Sequence, residues 1–336
     1  MNIQQRKNVI ARLGLLLAEL PESCQGKIEE AYIRNKWFTP DNIKLAISSW
    51  ANALDENKIE KWLSKYQLTS GLEKSIAIIM AGNIPLVGLH DLICVIATGN
   101  KAIVKFSESD AVLMKLITDE LREIEPELKN KIQICNERLP KDFDAVIATG
   151  SNNTNRYFDY YFRGKPHLLR KSRNSIAVLS GDEKKGDFEK LGEDIFSYFG
   201  FGCRNVSKMY VPKGFDLSKF FEGIEIFFPV IHHHKYANNY NYRKTIFLMN
   251  KVPFFDNNFL IVKEDKGIAA FPGVLNFEFY DSLGFVKNEI SNRKEEIQCV
   301  VSEIGIPGSV RFGQSQFPEL SDYADGVDTM KFLLEL

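Results

Sequence analysis

The first part of the chain has the periodicity of helices. Thr39-Pro40 is a typical helix start, an N-cap followed by proline in the first turn, and apolar side chains then recur at helical spacing up to Trp50. A second start signal at Asp55 begins another amphipathic stretch. We therefore predict an N-terminal helical segment over residues 1–70.

Beyond this segment, short apolar runs alternate with amphipathic stretches. Apolar runs of this length between turn residues are typical of buried strands, and the stretches between them are long enough for helical crossovers. The pattern predicts a parallel, Rossmann-like domain over residues 71–173. Its predicted strands are 75–80, 101–105, 131–135 and 144–148, and its predicted helices are 85–98, 111–124 and one beginning after Ser151.

A second α/β domain is predicted over residues 174–310. Its predicted helix spans 188–199, and its predicted strands are 175–179, 207–211, 245–249, 259–262, 275–280 and 298–301. Residues 311–336 are predicted to form a C-terminal return segment that ends in a strand at 329–334. The fold class is thus α/β, with two parallel-sheet domains after a helical segment.

Composition narrows the class of protein. The chain has 336 residues, with 43 Lys and Arg against 44 Asp and Glu, and so lacks the cationic field that nucleic-acid binding requires. Its five cysteines are widely spaced without a CxxC pair, which indicates neither a disulfide framework nor a zinc ribbon. We expect a cytoplasmic protein. The apolar stretch 75–98 contains Asn83, His90 and Asp91, so we predict no membrane span.

Two residues are candidates for covalent chemistry. Cys203 lies in Gly200-Phe201-Gly202-Cys203-Arg204, where glycines allow close approach to a ligand and the neighbouring cation favours the thiolate. Asn83 follows a predicted strand, where its amide can donate to a developing oxyanion. Each has a structural alternative, since free cysteines are usually packing residues and asparagine often caps a helix.

A second group of candidates lies at predicted strand ends. Lys105 ends a strand and Glu108 follows it, positions that face the ligand crevice at the carboxyl edge of a parallel sheet. Gly150 and Ser151 lie between a strand and a helix, where first-turn N–H groups can bind a pyrophosphate. There is no GxGxxG fingerprint, and without further context both charged residues are better explained as ordinary surface charges.

The histidines give weaker evidence of a functional site. His232-His233-His234 lacks further metal ligands in the sequence, so we predict a polar helix start or loop and no metal site. His90 on a largely apolar helix is predicted to be a structural residue.

In combination, five motifs resemble the aldehyde dehydrogenase superfamily, and within it the acyl-CoA reductases of the bioluminescence fatty-acid reductase type. They occur in the same order from about residue 70 onward, and a closing segment is similar at 312–314 and 325–331. The motifs are MAGNIP (80–85), GLHDL (88–92), TGNKAIVK (98–105), IATGS (147–151) and FGFGCR (199–204).

The resemblance implies specific roles. Cys203 would be the nucleophile, with the Asn83 side chain and the Cys203 backbone N–H as oxyanion donors. Lys105 and Glu108 would hold the adenosine ribose, and Gly150-Ser151 would meet the pyrophosphate of NADH or NADPH. The implied substrate is an acyl-CoA or acyl-protein thioester, with an acyl-transfer protein as a candidate partner.

The sequence departs from acid-forming aldehyde dehydrogenases where these carry a glutamate base. Residues 170–174 read RKSRN and contain no carboxylate. A thioacyl-enzyme without a base resists water, which favours reduction to an aldehyde. The segment AAFPGV (269–274) also lacks the family's glutamate on the nicotinamide ribose.

Several alternatives remain open from the sequence. They are an aldehyde dehydrogenase, an acyl-phosphate reductase, and a non-catalytic nucleotide- or acyl-binding subunit. The chain is shorter than most members of the superfamily, so we expect the oligomerisation hairpin to be reduced or missing, and a homo-oligomer remains open.

Overall fold

A computed structural model describes residues 1–68, 72–135, 139–150 and 152–336. The chain divides into two compact units, one of residues 1–172 and 317–336, the other of residues 173–316. The second unit thus begins at Arg173, next to the boundary predicted at 174. In the described ranges, no helix is long and apolar enough to cross a bilayer.

The first unit begins with the predicted helices. They are α1 (Ile3–Ala18), α2 (Gln25–Arg34), α3 (Pro40–Ala53) and α4 (Glu56–Leu63). Thr39 caps α3 by accepting the Asn42 N–H, and the Asp55 carboxylate caps α4 by accepting two N–H groups. Their apolar faces share one core with the first sheet. The helical segment is therefore a layer of the first unit.

The first sheet is parallel throughout and has the strand order β3-β2-β1-β4-β5. The order reverses direction at β1, because β2 and β3 lie on one side of it and β4 and β5 on the other. Ligands in open α/β sheets bind at the carboxyl ends of strands beside such a reversal. The strands are β1 (Ser75–Ile79), β2 (Lys101–Lys105), β3 (Ile132–Ile134), β4 (Ala145–Thr149) and β5 (His167–Arg170); the helices are α5 (Leu89–Thr98), α6 (Ala111–Ile124), α7 (Leu128–Lys131) and α8 (Asn152–Phe162).

The second unit holds a sheet of order β11-β6-β7-β10-β9-β8. Its pairings are parallel except for the short β8–β9 pair at one edge. These two sheets confirm the predicted α/β class. The strands are β6 (Asn174–Val178), β7 (Val206–Pro212), β8 (Phe255–Asp256), β9 (Ile261–Glu264), β10 (Val274–Tyr280) and β11 (Ile297–Val301); the helices are α9 (Lys185–Phe196), α10 (Leu217–Gly223), α11 (His234–Met249) and α12 (Leu283–Asn292).

Three predicted elements were wrong. The helix expected from residue 85 begins at Leu89, because Leu86 has a left-handed φ of 58° that a right-handed helix cannot contain. The strand expected at 245–249 is the last turn of α11. The C-terminal strand is a helix, α13 (Thr329–Leu334): Asp328 caps it, and Met330 and Leu333, three residues apart, are both buried.

Candidate active site

Cys203 is half-buried and lies in a tight turn that leads into β7. The Asn205 N–H donates to the carbonyl oxygen of Gly202 at 3.0 Å and closes the turn. The carbonyl oxygen of Cys203 accepts from the Ser175 hydroxyl at 2.9 Å. The thiol therefore stands on a backbone that is fixed to the neighbouring strand β6.

The Asn205 side chain holds the same turn from inside the protein. Its Oδ1 accepts the Gly202 N–H at 2.8 Å, and its Nδ2 donates to the carbonyl oxygens of Asp194 and Ser197 at 3.0 and 2.8 Å. Carbonyl groups at the end of a helix lack partners within the helix, so this amide caps the C-terminal end of α9. Asn205 is 2% exposed, so these bonds are shielded from water.

The chain between α9 and the turn is strained. Tyr198 and Phe199 both have left-handed φ, 51° and 56°, followed by Gly200 at 80°. Such values are unfavourable for residues with a β-carbon and persist only where the surroundings enforce them. One such neighbour is His233, whose ring stacks on Phe199 with centroids 4.3 Å apart.

A buried carboxylate lies behind the turn. Asp194 on α9 accepts the N–H groups of Gly313 and Ser315 at 2.7 and 2.9 Å. The carbonyl oxygen of Ser315 in turn accepts from the Nε of Arg204, the residue next to Cys203. Burial raises the pKa of Asp194 to about 6, so the group is charged at neutral pH.

Asn83 lies in the turn between β1 and α5 and is exposed to solvent. Three residues further on, the Leu86 N–H donates to Oδ2 of the buried Asp110 at 2.8 Å. The turn also packs tightly at Gly82, where an added β-carbon would lie 2.5 Å from the Ser107 hydroxyl. The Asn83 amide is therefore presented at the carboxyl edge of the first sheet.

The predicted dinucleotide residues lie along that same edge. Lys105 ends β2, its register partner Ile79 ends β1, and the exposed Glu108 follows at the start of a short 3-10 helix. Gly150 follows β4, on the other side of β1, and its carbonyl oxygen accepts from Asn155 at 3.3 Å. Ser151 lies outside the described residues. The structure thus brings Lys105, Glu108 and Gly150 to the point where the strand order reverses.

Arg170 begins the segment 170–174, which contains no carboxylate. Its guanidinium is buried and pairs with Asp91 at 2.6 Å, and it also donates to the Thr329 hydroxyl at 2.7 Å and to the Ala324 carbonyl oxygen at 2.8 Å. This arginine therefore ties the C-terminal segment to α5 and offers no base.

Two of the histidines make structural contacts. The ring of His90 is bonded to the Leu320 carbonyl oxygen at 2.9 Å, and burial lowers its pKa. His233 caps α11 through Nδ1, which accepts the Tyr236 N–H at 3.4 Å. Over the described part of the chain, no cluster of His, Cys, Asp and Glu side chains is suited to a metal ion.

Three structural residues were missed from the sequence. Asp110, Asp194 and Asn205 are each more than nine-tenths buried. Asp110 and Asn205 bond to backbone groups of the two candidate turns, and Asp194 bonds to the backbone of residues 313 and 315. Only Asn205 had a sequence signal, because it directly follows the motif FGFGCR. The bonds of Asp194 to residues 313 and 315 span more than a hundred positions and leave no local pattern.

Solved structures similar to this chain define its fold class. Aldehyde dehydrogenase 21 from Physcomitrella patens, in complex with succinate, has a TM-score of 0.71 at 13% identity and covers 100% of this chain and 84% of its own. An NAD-dependent benzaldehyde dehydrogenase from Corynebacterium glutamicum has a TM-score of 0.69 at 14% identity, over 95% of this chain and 80% of its own. A Mycobacterium tuberculosis aldehyde dehydrogenase complexed with NAD+ has a TM-score of 0.66 at 13% identity, over 94% of this chain and 76% of its own. The chain has the aldehyde dehydrogenase fold.

The sequence identifies the particular family. Residues 31–220, which are 190 of the 336, match the acyl-CoA reductase (LuxC) family. The chain belongs to this family and is an oxidoreductase, as the motif resemblance predicted. The comparison with curated proteins gives no match.

Proposed function

We propose that this acyl-CoA reductase forms a thioacyl-enzyme on Cys203 and releases an aldehyde. The observation that carries the proposal is the turn at Cys203: a half-buried cysteine whose backbone is fixed by Ser175 and Asn205, directly after a strained segment. Strain held in place beside a cysteine supports a functional turn more than a packing role.

The first step is thioester exchange. The Cys203 thiolate attacks the acyl carbonyl carbon, a new S–C bond forms, and the C–S bond to coenzyme A breaks as its thiolate leaves. Asn83 is assigned the role of side-chain donor to the oxyanion, and the Cys203 N–H the role of second donor. One such donor contributes roughly 3–4 kcal/mol to the transition state.

The dinucleotide is assigned to the carboxyl edge of the first sheet. The residues there fit it, because Lys105 offers a cation to phosphate or ribose oxygens and Glu108 an acceptor for ribose hydroxyls, beside a strand-order reversal. When bound, NADH or NADPH supplies the hydride that reduces the thioester carbonyl. Similar folds crystallised with NAD+ support this assignment, and the carboxylate of Glu108 disfavours a 2′-phosphate.

The absence of a base favours the aldehyde as product. Arg170, in place of the family's glutamate, is held by Asp91 and Thr329 and cannot activate water. The thioacyl group on Cys203 is therefore protected from hydrolysis until it is reduced. An acyl-protein thioester from an acyl-transfer partner fits the same chemistry, and the need for a free thiol suits the cytoplasm.

Product analysis with an acyl-CoA panel tests the proposal. We expect aldehyde and free coenzyme A in equal amounts, and no carboxylic acid. Acid as the main product indicates an aldehyde-dehydrogenase type of reaction, and turnover only with acyl phosphates indicates an acyl-phosphate reductase. Binding without turnover of any donor indicates a non-catalytic subunit.

A further inference from the structure

The nucleophile turn is connected on both sides to one buried residue, Asp194. Upstream of Cys203, Gly202 is bonded to Asn205, whose amide donates to the backbone carbonyl of Asp194. Downstream, Arg204 donates to the carbonyl oxygen of Ser315, and the Ser315 N–H donates to the Asp194 carboxylate. Backbone and side chain of the same residue thus serve the two flanks of the thiol.

Both oxygens of the Asp194 carboxylate accept hydrogen bonds from the 313–315 loop. Each of its oxygens accepts a backbone N–H, from Gly313 and from Ser315, and the residue is 0% exposed. A carboxylate so enclosed does not reach a substrate and is not a general base. Its negative charge instead fixes the 313–315 loop, since hydrogen bonds to an ionised acceptor are the strong ones.

We propose that Asp194 is a positioning residue for Cys203, holding the thiol in its attack geometry through the Asn205 turn and through Arg204. The inference rests on the proposed role of Cys203 as nucleophile. Displacement of a reacting group by about 1 Å can lower a rate by about 10²-fold, so loss of this support is expected to be seen in the acyl-transfer step.

The test compares two matched substitutions of acid by amide. Asp194→Asn replaces one of two oxygens that accept N–H groups with a donor. Glu183→Gln does the same at a carboxylate that accepts the N–H groups of Ser180 and Gly181, after the carboxyl end of β6 and thus at the opposite end of the sheet from Cys203.

Two rates are measured for each purified protein: release of coenzyme A from acyl-CoA in a single turnover, and alkylation of Cys203 by iodoacetamide. Alkylation needs a thiolate but no alignment with oxyanion donors, so it separates positioning from thiol ionisation. We expect Asp194→Asn to lower the maximal acyl-transfer rate 10- to 100-fold, with alkylation and half-saturating acyl-CoA changed by less than about three-fold. Glu183→Gln should change neither rate by more than about two-fold.

Equal acyl-transfer rates in folded Asp194→Asn and wild type would overturn the inference, as would a parallel fall in alkylation. If Asp194→Asn does not fold, Arg204→Lys provides the test, because it keeps the cation beside the thiol and loses the Nε donor to Ser315. A wild-type acyl-transfer rate in that variant would also overturn the inference. Wild-type acylation in Cys203→Ser would instead contradict the proposed function itself.

Discussion

The two turns assigned to the chemistry are built differently. The Cys203 turn is held by the Asn205 amide, the Ser175 hydroxyl and, through neighbouring residues, a carboxylate that uses both of its oxygens. The Asn83 turn is held at Leu86 by one oxygen of Asp110, whose other oxygen has no hydrogen-bond partner within the described residues. The turn of the proposed nucleophile is thus held through Ser175 and Asn205, and the turn of the proposed oxyanion donor through Asp110.

Burial raises the pKa of both supporting carboxyl groups, Asp110 and Asp194, but to different extents. Burial raises the pKa of Asp110 well above its usual range, with a single N–H donor to oppose the effect. Burial also raises the pKa of Asp194, but only to about 6, because the Ser315 side chain and the backbone N–H groups of Gly313 and Ser315 stabilise its anion. At neutral pH Asp194 is therefore an anion, whereas burial disfavours the charged form of Asp110.

The largest expected effect is at the nucleophile. Cys203→Ala removes the sulfur that forms the acyl bond, so aldehyde formation from acyl-CoA should fall to the background rate. The fold should remain, because Cys203 is half-buried and accepts the Ser175 hydroxyl through its backbone carbonyl oxygen. The check is an aldehyde assay with circular dichroism as control. Activity in the folded variant would remove Cys203 from the mechanism.

The next effect is at the oxyanion donor. Asn83→Ala should lower kcat by about 10²–10³-fold, the usual loss for one donor of this kind. Because Asn83 is exposed, its free energy of unfolding should change by no more than about 0.5 kcal/mol. Steady-state kinetics and urea denaturation measure the two quantities. A folded variant with wild-type kcat contradicts the role of Asn83.

Substitution of each buried acid by its amide should separate the two turns. At pH 7.5, Asp194→Asn should lower the free energy of unfolding by about 1–3 kcal/mol, because a buried N–H loses its acceptor. Asp110→Asn keeps a side chain of nearly the same shape with an oxygen that can accept the Leu86 N–H, so we expect a loss below about 1 kcal/mol. Urea denaturation of the two variants checks this, and equal losses would show that the two sites do not differ.

The last prediction concerns pH. The pKa of Asp194 is raised in the folded state by burial, with the neighbouring Glu193 carboxylate acting in the same direction. Protonation therefore favours folding: this contribution is fully present below the ordinary pKa of 3.8 and is lost as the pH rises through about 6. As the pH rises between these limits, the free energy of unfolding of wild type should fall by up to about 1.4 kcal/mol per pH unit relative to that of Asp194→Asn. Urea denaturation at pH 4.5, 5.5 and 7 measures the difference in free energy of unfolding between the two proteins. A difference that does not change with pH would contradict this prediction.

The periodic parts of the sequence predicted the fold well. The α/β class is confirmed because buried parallel strands such as β1 and β4 are continuous apolar runs. The error at 245–249 has a physical reason: β-branched and aromatic residues there favour a strand, yet α11 continues through them with Leu248 and Met249 exposed.

The candidate site was only partly predictable. Motifs give Cys203 and Asn83 because each lies in a short local pattern. The left-handed Leu86 and Phe199 have no sequence signal, since glycine is the usual residue at such φ values. The supports Asp110 and Asp194 act through contacts between segments that are distant in the chain.

The central claim is that the acyl group passes through Cys203, and intact-protein mass spectrometry tests it most directly. The protein is mixed with an acyl-CoA panel without nicotinamide, and any adduct is mapped by peptide digestion. We predict a stable adduct on Cys203 that is released as aldehyde when NADH or NADPH is added. Aldehyde formation without an adduct on Cys203, or an adduct that hydrolyses to acid, would contradict the account.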